Sequence, residues 1–262
     1  MSTCAYNVDV SGLAELRRTV AIGCRILAYA GLAEDILGHV SARVPGPEPS
    51  LLVRCRGPRE LGLLHTEPDD VRRVSFQGQQ LDGRHDYEAP NELPIHTAVL
   101  RARPDVAAVV HAHPPAVVAA DLAGLPLVPL IGSYHIPAAQ LAASGIPTYP
   151  RGVLIRREDL ADEMVEAMGD RPVCVLRGHG ITAVGETVEQ AVVRALAVDA
   201  LARMTCRVAE LGGEIRPLPD EDLAELPDLG TGFNETLIWR HHEQRLRDAG
   251  QMIDDHERRP PR

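Results

Sequence analysis

The sequence predicts a single α/β domain built around a mostly antiparallel sheet, and three observations lead there. Segments of helical and strand periodicity alternate irregularly, without the regular spacing of repeated βαβ units. No Gly-x-Gly-x-x-Gly turn or Walker loop follows a strand, which disfavours a doubly wound nucleotide-binding arrangement. No internal repeat divides the 262 residues, a length that suits one large domain.

The elements follow in order. Leu13, Leu16, Val20, Gly23 and Leu27 recur at helical spacing and predict an amphipathic helix over 12–30, with Ser11 as N-cap and Gly31 as stop. A Gly38-His39-Val40-Ser41-Ala42-Arg43 segment runs into a proline-rich turn, and Leu51 to Cys55 forms a short strand ending at Arg56-Gly57-Pro58. Thr66-Glu67-Pro68-Asp69 has the proline and acids of a helix start. Val74 to Phe76 and Gln79 to Leu81 flank a glycine turn as in a hairpin. A helix spans 91–102 and stops at Pro104, and Val106 to His113 is a buried strand of small and β-branched residues. Pro114-Pro115 opens a helix reaching Leu122; Leu127 to Ile131 is predicted as strand and Pro137 to Ala143 as helix. Leu160 and Met164 to Met168 share a helix, Val173 to Leu176 and Thr182 to Val184 are strands, and a long Ala- and Val-rich helix covers Glu186 to Leu211. Beyond Pro217 the chain is polar, with one helix near Glu235 to Arg247 and a charged, mobile tail over 254–262.

Composition narrows the function. Hydrophobic residues make up 45% of the chain and aromatics only 3%, so the core is built from Leu, Val, Ile and Ala. A net charge of -10 argues against nucleic acid or an anionic membrane as a partner, but a few local arginines still suffice for an anionic small molecule. The five cysteines are scattered without a C-x-x-C pair, which fits a reducing compartment. Neither a signal peptide nor a run of roughly 18 apolar residues is evident, so a cytoplasmic protein is expected.

The chemistry centres on Val109-Val110-His111-Ala112-His113. Positions i and i+2 of a strand face the same side, so the two imidazoles can share a divalent metal. His179 lies between Gly178 and Gly180 at a strand end, where a side chain reaches a cleft. Either motif alone fits solvated histidines. Together, among apolar strands where an unpaired imidazole is costly, they favour a metal. Glu92 begins a helix, where a carboxylate is favoured either as a plain first-turn acid or as the group that moves protons. His96, one turn later, is expected to buttress that helix or to bond Glu92.

In order, spacing and context, these motifs resemble the class II aldolase and adducin family over roughly residues 12–210. The matching segments are Gly38 to Arg43, Glu92 to His96, Arg103-Pro104-Asp105-Val106, His111-Ala112-His113, and Gly178-His179-Gly180 with Gly185 and the long helix. The resemblance implies a three-layer α/β/α fold with a central, mainly antiparallel sheet. It implies a catalytic domain over 1–216 and a C-terminal helical extension over 217–262 at a subunit interface. It further implies one divalent ion per subunit on His111, His113 and His179, with zinc first and manganese, cobalt or iron as alternatives, Glu92 as acid or base, and a homotetramer with sites at subunit interfaces.

Differences from the sugar-phosphate aldolases redirect the substrate. His39 stands where those enzymes usually carry Asn, and Pro90 and Asn91 replace a phosphate-holding Ser-Ser pair. Arg54 and Arg56, in the loop with Gly57, are expected to hold a carboxylate. His39, Ser41 and Asn91 complete the candidate substrate contacts, and Tyr134 in Leu130 to Tyr134 is a candidate proton donor. The combination resembles the branch that decarboxylates hydroxyaromatic acids or ring-cleavage products. Trp239, His241 and His242 are candidates to complete a neighbouring subunit's pocket. A class II aldolase, a non-haem iron oxygenase and a non-catalytic adducin-like assembly module are the alternatives; retention of the three histidines and Glu92 argues against the last.

Overall fold

A computed structural model describes residues 10–83 and 85–253. The tail expected over 254–262, with His256, and Cys4 near the N-terminus lie outside them. In chain order the main elements are α1 (Val10–Tyr29), β1 (His39–Val44), β2 (Ser50–Arg54), β3 (Val71–Ser75), α2 (Leu93–Ala102), β4 (Ala108–Ala112), α3 (Pro115–Leu122) and α4 (Ile136–Ala143). They continue with β5 (Thr148–Tyr149), α5 (Glu158–Met168), β6 (Val173–Leu176), β7 (Gly180–Gly185), α6 (Val188–Glu210), α7 (Asp220–Ala224) and α8 (Ile238–Asp248).

The strands form one seven-stranded sheet ordered β3-β2-β1-β4-β7-β6-β5. Every pairing is antiparallel except β5 with β6. Alternation along the strands divides the core into two layers. Val40, Ala42, Val110, Ala112 and Ala183 pack with α1, α3, α4 and α6 on one face. Leu51, Val53, Val109 and Val184 pack with α2 and α5 on the other. The three-layer α/β/α expectation therefore holds. Buried Ala191, Ala195 and Ala202 let α6 lie close to the sheet. Trp239, Leu246 and Ile253 join this same core, so the C-terminal helix is packed onto its own protomer and Trp239 is committed there. Among the described residues no helix is long and apolar enough to cross a membrane.

Several elements differ from expectation. Leu127 to Ile131 is not a strand but part of a connecting segment, because Pro126 and Pro129 remove donors a ladder needs. The Thr66 to Asp69 signal yields a single 3-10 turn, Pro68–Asp70. The expected hairpin is reduced to an isolated bridge between Val74 and Gln80. The C-terminal helix begins as one π-helical turn, Gly232–Leu237. The two-residue β5 was too short to carry a periodic signal.

Candidate metal centre and active site

Register places the site on the α2 side of the sheet. His39 on β1 pairs with His111 on β4, which pairs in turn with Thr182 on β7. Directly paired residues share a face, so the chain brings His39, Ser41 and His111 together, with His113 just past the end of β4. His179 reaches the same point from the turn between β6 and β7. Gly178 there adopts φ +60, which suits glycine, and a Cβ on Gly180 would lie 2.3 Å from the Ala112 carbonyl oxygen and 2.9 Å from His113 Cδ2. The two glycines thus have separate reasons: one makes the turn, the other admits β4 and His113. A Gly180→Ala variant is expected to displace both His113 and His179 and weaken divalent-metal affinity by at least about 10-fold. Calorimetric titration with Zn²⁺ measures this, and wild-type affinity would contradict it.

Glu92 occupies the N-cap of α2 but does not cap it. Its carboxylate is turned toward the sheet. Oε1 accepts a hydrogen bond from the Ile155 N–H at 2.9 Å, and Oε2 lies 3.2 Å from His111 Nε2 and 3.5 Å from His179 Nε2. His113 Nε2 is 2.8 Å from His111 Nε2. One ligand atom from each of the four residues lies within 4.8 Å of the others. His111 Nδ1 is 3.0 Å from the Ile181 carbonyl oxygen and can only donate to it, so a neutral His111 turns the Nε2 lone pair toward Glu92 and His113. Converging lone pairs repel unless a proton or a cation separates them. Three imidazole nitrogens and one carboxylate in that geometry fit a divalent ion.

The electrostatics agree. Burial pulls the His113 imidazole down to about 3, reinforced by His111 and His179. A neutral imidazole keeps the lone pair a metal requires. Burial alone would raise the Glu92 carboxyl, but where a proton rather than a cation separates it from His111 and His179, the resulting hydrogen bonds outweigh burial and hold Glu92 well below the usual carboxylate range.

The model of the family described as Class II Aldolase and Adducin N-terminal domain matches residues 18–206. The chain belongs to the class II aldolase and adducin family. It is 55% identical over 238 residues to the 3,4-dihydroxyphthalate decarboxylase of Arthrobacter keyseri, covering 89% of this chain and 94% of that protein. It is 54% identical over 240 residues to the enzyme of the same name from Terrabacter sp., covering 90% and 98%. Among solved structures, an aldolase II superfamily protein from Pseudomonas syringae superposes with a TM-score of 0.76 at 23% identity, covering 91% of this chain and 94% of that one, a likeness of fold.

Other expected site residues are placed as follows. Arg54 is buried and paired with Glu60, whose carboxylate also accepts from the Gly62 N–H at 2.8 Å. β2 ends at Arg54, and Arg56 lies beyond the strand. Arg56 is partly exposed, 3.4 Å from Asn91 Oδ1 and 4.0 Å from Glu88. Gly57 seats Tyr87, whose ring carbon Cε1 lies 2.5 Å from where a Cβ would stand. Tyr134 is 77% exposed and forms no hydrogen bond among the described residues. His96 bonds His39 and Ser41 rather than Glu92. The Ile155 and Ile181 backbone groups escaped sequence reasoning, since a backbone partner leaves no residue-type signal.

Proposed function

We propose that the protein is a metal-dependent decarboxylase acting on 3,4-dihydroxyphthalate or a closely similar dihydroxyaromatic acid. The observation that carries the reading is the convergence of Glu92, His111, His113 and His179 within 4.8 Å, in a chain more than half identical to two enzymes of that name. His111, His113 and His179 would hold a divalent ion, which would supply Lewis-acid stabilisation for negative charge developing as the carbon–carbon bond breaks. Zinc is the first choice for this donor set, with manganese, cobalt and iron next. In the reaction, the bond from ring carbon to carboxylate breaks, its electron pair stays with the ring, carbon dioxide leaves, and a proton is delivered to the ring carbon.

The chain's own residues orient the substrate and move that proton. Glu92 Oε2 faces the reaction centre while the Ile155 N–H holds Oε1, so the carboxylate exchanges a proton without swinging away. Arg56, with Asn91 beside it, is the carboxylate contact, and Arg54 shapes the loop through Glu60. His39 lines the β1 side, and Ser41, expected as a substrate contact, is instead fully buried behind it against His96. Pro90, with no N–H, takes the place of a phosphate-holding serine, which favours carboxylate over phosphate.

Tyr134 acts as proton donor in the site of an adjacent protomer within a homotetramer, a reading supported by its exposure and by exposed Leu122 lying beside the Gly178 turn. Mixed oligomers of Tyr134→Phe and His179→Ala subunits are expected to regain up to about a quarter of wild-type activity, although each parent is nearly inactive. No gain on mixing would place Tyr134 in its own protomer's site or outside catalysis.

The decisive assay supplies 3,4-dihydroxyphthalate to protein purified without added metal and measures carbon dioxide together with bound ions. Release that stops with chelator and returns with a divalent ion is expected. Oxygen consumption would favour an oxygenase, and cleavage of a hydroxy-oxo acid to an aldehyde without carbon dioxide would favour an aldolase. Activity unaffected by chelator in a metal-free protein would defeat the proposal.

A further inference from the structure

Behind the metal-facing residues runs a buried polar chain. His96, on α2 one turn beyond Glu92, is fully buried and bridges two β1 residues on the same face: its Nδ1 lies 2.6 Å from Ser41 Oγ, and its Nε2 lies 2.6 Å from His39 Nδ1. The His39 ring lies over that of His111, with centroids 5.0 Å apart and planes tilted by 33°. Ser41 and His96 have no exposure, whereas His39 keeps 7%, so of the three only His39 has any contact with solvent.

We propose that Ser41 and His96 are positioning residues that fix His39 in the tautomer whose Nε2–H faces the substrate, giving the cleft a neutral donor for an acceptor oxygen of a carboxylate or ionised hydroxyl. The inference deepens the decarboxylase reading and rests on it for the identity of the substrate.

Hydrogen counting decides the direction. The serine and two neutral imidazoles bring three hydrogens to two contacts. If Ser41 donates to His96 Nδ1, then His96 Nε2–H donates to His39 Nδ1, and the third hydrogen sits on His39 Nε2 at the cleft. In the reverse order His39 donates inward, His96 donates to Ser41, and the serine hydrogen is left over. No acceptor for it other than His96 is present among the described residues, and a buried hydroxyl hydrogen without a partner is unfavourable. The favoured order also leaves His39 Nε2 without a lone pair, so His39 stays out of the metal's donor set although it lies against His111.

The test uses the full chain loaded with zinc and ¹⁵N-labelled at histidine. The His39 signals, assigned by their loss in His39→Asn, are expected to show hydrogen on Nε2 and a bare Nδ1. Ser41→Ala should shift them toward the other tautomer and lower kcat/KM for 3,4-dihydroxyphthalate by about tenfold, mainly through KM, with Ser41→Thr restoring both. Zinc affinity should stay within about threefold in Ser41→Ala. Hydrogen on His39 Nδ1 in the wild type, or an unchanged tautomer in Ser41→Ala, would overturn the proposal. If the tautomer pattern is as expected but no carbon dioxide is released, it is the decarboxylase reading that fails.

Discussion

Replacing His179 with alanine is expected to lower divalent-metal affinity by at least about 10³-fold and to take decarboxylation to background, because three imidazoles and a carboxylate become two and one, too few for a closed donor set. The fold should survive. His179 sits in a turn whose shape is set by Gly178 and Gly180, and its side chain keeps 15% exposure, so water can enter the space that truncation leaves. The Tm of the chelated variant should stay within a few degrees of the chelated wild type, while the rise in Tm on adding Zn²⁺ disappears. Retention of metal-dependent stabilisation in His179→Ala would show that the ion lies elsewhere.

Glu92→Gln is the second large effect. The amide keeps the side chain's volume, and its oxygen still accepts from the Ile155 N–H, so the backbone around α2 is preserved. It loses the charge and the ability to exchange a proton, and kcat is expected to fall by about 10²- to 10⁴-fold. Its pH dependence has a definite sign. The Glu92 carboxyl is depressed below 4.5 in the fold, so its charged form adds stability above pH 4.5, and that stability is lost as pH falls through the depressed value. Metal-free Glu92→Gln should therefore melt below metal-free wild type at pH 7, with the gap narrowing as the pH drops under 4.5. A kcat within about threefold of wild type would remove Glu92 from the proton path and leave Tyr134 to carry it.

The two variants probe features that differ in how they were readable. His111 and His113 could be paired from sequence because strand alternation is a local rule, and it placed both on one face whatever the rest of the chain did. Gly-His-Gly likewise marked a tight place in the backbone, with Gly178 making the turn and Gly180 admitting β4. The strand predicted over Leu127 to Ile131 failed for an equally local reason, since Pro126 and Pro129 outweigh the apolar run around them. Arg54 shows the opposite case. Its residue type invited a carboxylate ligand, yet the fold supplies that carboxylate internally from Glu60.

By itself the sequence determined the α/β class, the three histidines and the carboxylate beside them, since periodicity, turn chemistry and ligand type are written residue by residue. Tertiary structure decided what holds those groups in place. Ile155 reaches Glu92 across 63 residues, Ile181 reaches His111 across 70, and Ser41 reaches His96 across 55. Such pairings depend on which strand lies beside which and on how α2 settles on the sheet. The packing of two faces sets both, and no single stretch of chain records it.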